Sequence, residues 1–368
     1  MSWTNRYHGF TVLATHDIVP TPAVLGHEVS GIVTEVGADV TQFRTGDHVV
    51  GSLAQSRGWC ARCQTGHSFQ CQHPESTLRR PTEAPRLSRH GVGLFQGLGL
   101  GGFAERALIH ENQLALLPKD MPFAQAALLG CGVVTGAGAV LNTADVRAGD
   151  TVVIFGAGGV GLNANSGARI AGASRIVVID IQPNRLQAAQ RFGATDVIDS
   201  TKAEPVEAVR ALLPRGADHV FDFVGLKAVA EQGLAMLGVG GGLYLVGVAK
   251  PEVSLDLNIF DAIGGQKRVQ GVNFGSTNFK RDIPMFADLY LQGRLNLDDL
   301  VSKRIALRDV NDGYAALKDG SVNRVVVTSF CQQYLMEGLR HESAGNDRHH
   351  QDDHDALHRW RVRPLAWA

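Results

Sequence analysis

Two clusters in this 368-residue chain have residue types and spacings that could do chemistry. The first is Gly156-Ala157-Gly158-Gly159-Val160-Gly161, which follows the apolar run TVVIF (151–155) and opens a segment, Val160–Ala171, patterned as a helix. Glycines at such a strand-to-helix turn let backbone approach a pyrophosphate, and the helix N-terminus offers unpaired N–H groups and a favourable dipole to that anion. Asp180 ends the next expected strand, RIVVID. A carboxylate there accepts hydrogen bonds from an adenosine ribose and repels a 2′-phosphate, so NAD is the expected cofactor and NADP is not. Taken alone, the same turn also occurs in Rossmann-like domains that hold no cofactor. Arg185, at the start of the following helix, either contacts the adenosine side or is a solvent-exposed arginine.

The second cluster is Cys60-x-x-Cys63, then Gly66 and Cys71. Zinc takes four such ligands in a tetrahedron, and here three cysteines are present. Residue 57, where a fourth cysteine would extend the spacing, is Arg57, whose guanidinium carries a permanent charge and no free lone pair. Five cysteines in all, three of them in this loop, read as metal ligands in a reducing compartment and not as a disulfide framework. A cytoplasmic location is expected.

The elements that must position these residues follow from hydrophobic period. Short strands with glycine turns are expected over residues 24–50, with half-buried alternation in Ser30–Val36. Residues 51–110 read as a loop excursion that returns to strand at Phe103–Ile109. Gly130–Leu141 reads as a helix whose small residues permit close packing. From Thr151, strand and helix alternate: TVVIF, Val160–Ala171, RIVVID, Pro183–Phe192, then strands at 219–224, 242–248 and 268–273. This alternation implies a parallel sheet with helices on both faces. Residues 281–330 are mixed helix and strand. The tail, 331–368, is polar and is expected to be a solvated, disordered extension, with a His-rich metal-binding tract as the alternative.

The stretches GHEVSGIVTEVG (26–37), GDHVV (46–50), the cysteine loop, ALLGCGVVTGAGAV (127–140) and GAGGVGLNANSGARIAGASRIVVID (156–180) together resemble the zinc-containing alcohol dehydrogenases of the medium-chain dehydrogenase/reductase superfamily. The resemblance spans residues 20–330 and extends to the sub-branch of glutathione- and mycothiol-dependent formaldehyde dehydrogenases. It implies an α/β fold: a Rossmann doubly wound parallel sheet at 133–274, inserted in a GroES-like β-barrel catalytic domain formed by 1–132 and 275–330. It also implies roles. His27 and Cys131 would ligate a catalytic zinc, which Glu28 can approach during ligand exchange. Thr135 would lie near the nicotinamide. Gly156, Gly158, Gly159, Val160, Gly161 and Asp180 would form the NAD fingerprint, and Arg324 would stand near the pyrophosphate. Cys60, Cys63 and Cys71 would be three of four structural-zinc ligands. His48 and His67 match no ligand position.

The implied cofactors are NAD and Zn2+, and the implied reaction is hydride transfer between an alcohol/aldehyde pair and NAD. The alternative is a catalytically silent NAD-binding homologue with an incomplete zinc site. The family pattern also has a segment ahead of this chain's first residue, so the chain reads as N-terminally shortened. The family's third catalytic-zinc cysteine falls at Arg6; His8 and His16 are the nearby relay or ligand candidates. A homodimer or homotetramer is expected, with GLYLVGV (242–248) as the candidate edge strand. A formal net charge of −1 argues against nucleic acid as a partner. No stretch reads as approaching the roughly 20 apolar residues that span a bilayer, and the resemblance implies a small-molecule alcohol or aldehyde as the partner.

Overall fold

A computed structural model describes residues 22–78, 83–318, 322–330 and 359–367. Arg6, His8 and His16 lie outside the described residues. Along the chain, seven strands come first: β1 (Ala23–Val24), β2 (Val29–Val36), β3 (His48–Gly51), β4 (Leu87–Arg89), β5 (Val92–Gln96), β6 (Ala107–His110) and β7 (Leu114–Leu116). Six more belong to the alternating region: β8 (Thr151–Phe155), β9 (Arg175–Asp180), β10 (Asp196–Asp199), β11 (Ala217–Asp222), β12 (Leu237–Leu245) and β13 (Arg268–Gly271). The last three are β14 (Val301–Ala306), β15 (Arg324–Ser329) and β16 (Arg359–Trp367).

The described chain divides into two compact units. One holds Gly58–Gln72 and Cys131–Leu300. Its six strands pair in the order β10-β9-β8-β11-β12-β13, every pairing parallel. Numbered from β8, that order is 3-2-1-4-5-6, the doubly wound Rossmann arrangement. The cause is visible in β8, where Val152, Val153 and Ile154 are all fully buried. A strand covered on both faces reads as a continuous apolar run and not as an alternation. Val153 and Phe155 share one core cluster with Val177, Ile179, Val220 and Leu243 of the neighbouring strands, and with Val209, Ala230 and Leu234 from the covering helices. Burying each large side chain of this set stabilises the unit by roughly 1.5–3 kcal/mol. Helices Pro183–Arg191 and Pro205–Leu212 both open on proline, whose missing N–H is unneeded in the first turn.

The other unit holds 22–57, 73–130 and 301–330, together with β16. Its larger sheet runs β14-β15-β16-β2-β3-β7, with β6 pairing β16, and a smaller sheet runs β1-β5-β4. Val29 and Val33 of β2 pack with Val49, Leu100, Ala107, Ile109, Leu114 and Val327.

Several expectations are corrected. The cysteine loop and residues 275–300 group with the Rossmann sheet. Ser68 Oγ donates to Thr277 O at 3.4 Å, Asn142 Nδ2 to Asp282 Oδ2 at 3.0 Å, and Arg169 to Arg294 O at 2.8 Å. Residues 51–110 are no plain loop, since β4 and β5 form an antiparallel pair within them. The sheet edge is β13 and not 242–248: β12 is interior, with Leu243 and Tyr244 buried. Within the tail, Arg359–Trp367 forms a strand antiparallel to β2, β6 and β15. Its RWRVR alternation is a strand period that the polar composition of the preceding residues obscured; residues 331–358 lie outside the described residues. Finally, Phe123–Thr143 forms one helical run of 21 residues that is long and apolar enough to cross a membrane. Of its most apolar stretch, 83% is buried inside the protein, as in a core helix.

Candidate active site

In the Rossmann unit the turn at 156–161 leaves β8 and enters helix Gly159–Ala171. Gly161 is required by close approach: a Cβ there would stand 1.8 Å from Gly156 O. The helix N-cap, Gly158, has no side-chain hydrogen bond, and a Cβ built on it would meet nothing within 4 Å. The space beside Gly158 is therefore open at the N-terminus of a long helix, whose unpaired N–H groups and dipole are what receive an anion. Val160 is the first turn's partly exposed residue.

Asp180, 7% exposed, ends β9 beside this turn. Its Oδ2 accepts the Ala157 N–H at 2.7 Å and its Oδ1 the Gln182 N–H at 2.8 Å. Each carboxylate oxygen keeps a further lone pair, so ribose hydroxyls can be added to these two bonds. Arg185 opens the next helix, and its buried Nε has no hydrogen-bond partner among the described residues. An orphaned guanidinium N–H beside the Asp180 strand end fits an anionic or polar adenosine-side group better than it fits a solvated arginine. The residues of this region thus fit a dinucleotide.

Cys60, Cys63 and Cys71 lie in the same unit. Their sulfur atoms are mutually within 4.8 Å, with Cys60 Sγ at 3.4 Å from Cys63 Sγ and 3.9 Å from Cys71 Sγ. Zinc–sulfur bonds of about 2.3 Å in a tetrahedron put sulfurs about 3.8 Å apart, so the trio fits three corners of a zinc site. Among the described residues it is the one group of three or more metal-ligating side chains. The Cys60 thiol is pulled down to about 6 by N–H groups of Gln72 and Cys63, while burial and the neighbouring sulfurs push Cys63 up to about 11. The lowering favours the thiolate of Cys60, the form that binds metal. The short helix Ala61–Gln64 supplies the spacing between Cys60 and Cys63.

Cys131 lies in a π-helical turn, Leu129–Val133, and Thr135 in the α-helical turn that follows, Val134–Gly138. Both are partly exposed in an otherwise buried run, and π-turns of this kind recur at functional sites. Cys131 is in no disulfide.

In the other unit, His27 sits just before β2. The loop is fixed by Gly102 N–H donating to Gly26 O at 2.9 Å and Phe103 N–H to Leu25 O at 2.7 Å. Burial lowers the His27 pKa, Glu28 raises it, and Arg324 lowers it. The net shift favours the neutral imidazole, which keeps the lone pair that metal coordination needs. Glu28 is 5% exposed and pairs with Arg324 at 3.8 Å. That ion pair was not foreseen: the two residues are far apart in sequence, and β15 brings them together. His48 and His67, which match no ligand position, are engaged elsewhere. The His48 ring centroid is 4.8 Å from that of Phe123, and His67 Nδ1 is 3.1 Å from Thr65 Oγ1.

Residues 4–119 match the family model for the alcohol dehydrogenase GroES-like domain, and 159–289 that for zinc-binding dehydrogenase. A putative alcohol dehydrogenase D from Mycobacterium tuberculosis is 35% identical over 87% of this chain and 89% of its own length. A probable S-(hydroxymethyl)glutathione dehydrogenase 1 from Schizosaccharomyces pombe is 35% identical over 83% of this chain and 82% of its own length. Among solved structures, an alcohol dehydrogenase zinc-binding domain protein from Burkholderia ambifaria superposes with a TM-score of 0.82 at 34% identity, covering 88% of each chain. The benzyl alcohol dehydrogenase of Acinetobacter calcoaceticus gives 0.79 at 33% identity, again over 88% of each. With its GroES-like and zinc-binding dehydrogenase regions both matched, the chain belongs to the zinc-containing medium-chain alcohol dehydrogenase family.

Proposed function

We propose that this protein is an NAD- and zinc-dependent alcohol dehydrogenase acting on a small-molecule alcohol/aldehyde pair. The observation that carries the reading is the Gly156–Gly161 turn at the central strand of a 3-2-1-4-5-6 sheet, with the Asp180 carboxylate hydrogen-bonded to the turn at Ala157. His27 and Cys131 are the proposed donors to the catalytic metal, with Glu28 the adjacent carboxylate. Cys60, Cys63 and Cys71 are the proposed donors to a second zinc. When bound, zinc supplies Lewis-acid character and the dinucleotide accepts the hydride.

The chain's own residues supply the rest. The helix N-terminus at Gly158–Gly161 holds the pyrophosphate. Asp180 accepts the adenosine ribose hydroxyls and disfavours a 2′-phosphate, and Arg185 lies on the same adenosine side. His27 stays neutral and available as a donor. Glu28 offsets the charge of Arg324 at 3.8 Å, and Arg324 is the proposed cationic partner of the cofactor pyrophosphate. Thr135 lies on the nicotinamide side.

Arg57 favours the second reading, a silent dinucleotide-binding homologue, because it stands where a fourth cysteine would complete the cysteine loop. Metal analysis of the purified protein, combined with alcohol-dependent NADH formation, separates the two. Bound zinc with turnover supports the enzyme. NADH binding without zinc or turnover would overturn the enzyme in favour of the silent homologue. The same preparation run at known concentration on a sizing column tests the proposed homodimer or homotetramer.

A further inference from the structure

The segment after β13 is held in an uncommon conformation. Phe274, Gly275 and Ser276 have φ of 48°, 60° and 49°, three successive left-handed residues of which two carry side chains. Such conformations are strained for L-residues and persist only where surroundings impose them. The turn presses against the helical run at backbone distance: a Cβ on Gly275 would lie 2.0 Å from Val134 O and 2.8 Å from Thr135 O. Thr143 Oγ1 donates to Ser276 Oγ at 2.7 Å.

One buried carboxylate joins these pieces. Asp282, 0% exposed, lies in the first turn of helix Phe279–Leu291. Its Oδ2 accepts Asn142 Nδ2 at 3.0 Å, Thr277 Oγ1 at 2.8 Å and the Asn278 N–H at 3.0 Å, and its Oδ1 accepts Arg281 Nε. The carboxylate therefore ties the far side of the strained turn to the helical run that carries Thr135. The turn also leaves the carboxyl end of a strand in a parallel sheet, the edge at which ligands of such sheets lie. β8, β11 and β12 separate β13 from β9 and its Asp180.

We infer that Asp282 is a positioning residue for the nicotinamide half of the dinucleotide, acting through the 273–277 turn and its contact with Thr135. The inference rests on the dinucleotide reading above. Removing the carboxylate releases Thr277, Asn278 and Asn142 together, and the left-handed turn relaxes away from the helical run. The adenosine half, seated at Gly158 and Asp180, has no bond to this network and keeps its affinity.

The test compares two probes on the full-length protein: NADH by fluorescence titration and ADP-ribose by calorimetry. Asp282→Asn is expected to weaken NADH about tenfold and ADP-ribose by less than about twofold. Should that variant lose its cooperative thermal transition, Thr277→Val removes one of the four donors and is expected to weaken NADH about threefold, again sparing ADP-ribose. Equal weakening of both probes, or of neither, overturns the inference while leaving the dinucleotide reading in place. A wild-type protein that binds neither probe overturns both.

Discussion

The glycine turn and the cysteine loop belong to the same unit and are built in opposite ways. At 156–161 the binding groups are backbone: a helix N-terminus aimed by a fully buried strand, with Asp180 bonded to the turn's own N–H. In the cysteine loop they are three side chains on a four-residue helix and its flanks, with no buried residue in that helix. A backbone-built site inherits the stability of its sheet. A side-chain-built site holds its geometry only as well as its ligand does.

Breaking the turn should therefore have the largest effect. Gly161→Val puts a Cβ where Gly156 O now lies 1.8 Å away. It should cost about 1–3 kcal/mol of stability and weaken NADH by more than about 100-fold. Retained NADH affinity would show that the turn does not seat the cofactor. Asp180→Ala comes next. It strands the N–H groups of Ala157 and Gln182, at about 1–3 kcal/mol for each one left unsatisfied, and should weaken NADH about tenfold. Wild-type NADH affinity in that variant would remove the ribose role.

The cysteine loop should respond to different variables. Cys60→Ser is expected to abolish zinc retention at the cluster while changing NADH affinity by less than about twofold, as for independent sites. Because the N–H groups of Gln72 and Cys63 pull the Cys60 thiol down to about 6, protons compete for its thiolate below that pH. Zinc affinity at the cluster should therefore weaken progressively as pH falls below about 6, with release at the lower pH where protons outcompete the metal. A dye-based zinc release titration reads this directly, and release that is flat across that range would contradict the thiolate assignment. The smallest effect should come from the helix behind the turn. Ser166 Oγ is buried without a hydrogen-bond partner among the described residues, so Ser166→Ala should raise stability by about 1 kcal/mol. A denaturant melt that shows a loss would mean an unseen partner for that hydroxyl.

Much of the Rossmann unit was legible because its signals are local. TVVIF, the glycine turn and RIVVID are contiguous, and their boundaries in the structure match the expected strands at Thr151–Phe155 and Arg175–Asp180. The β-rich unit was read less well. Its short strands pair across long sequence separations, and β4 and β5 fall among glycines and arginines that read as loop. The tail's strand was missed because only five of its nine residues, RWRVR, alternate, and they follow a long polar run.

The sequence by itself determined which atoms are available: the glycines that permit a close turn, the carboxylate at the end of β9, the three thiols, and the arginine where a fourth thiol is expected. These are properties of residue type at fixed spacing, and tertiary structure does not alter them. Only tertiary structure decided which distant groups meet. Glu28 faces Arg324, Asp282 gathers Asn142, Thr277 and Asn278, and β13 rather than β12 is left at the sheet edge. Such pairings depend on strand order and helix packing, which emerge from burying apolar surface across the whole unit and leave no periodic trace in the local sequence.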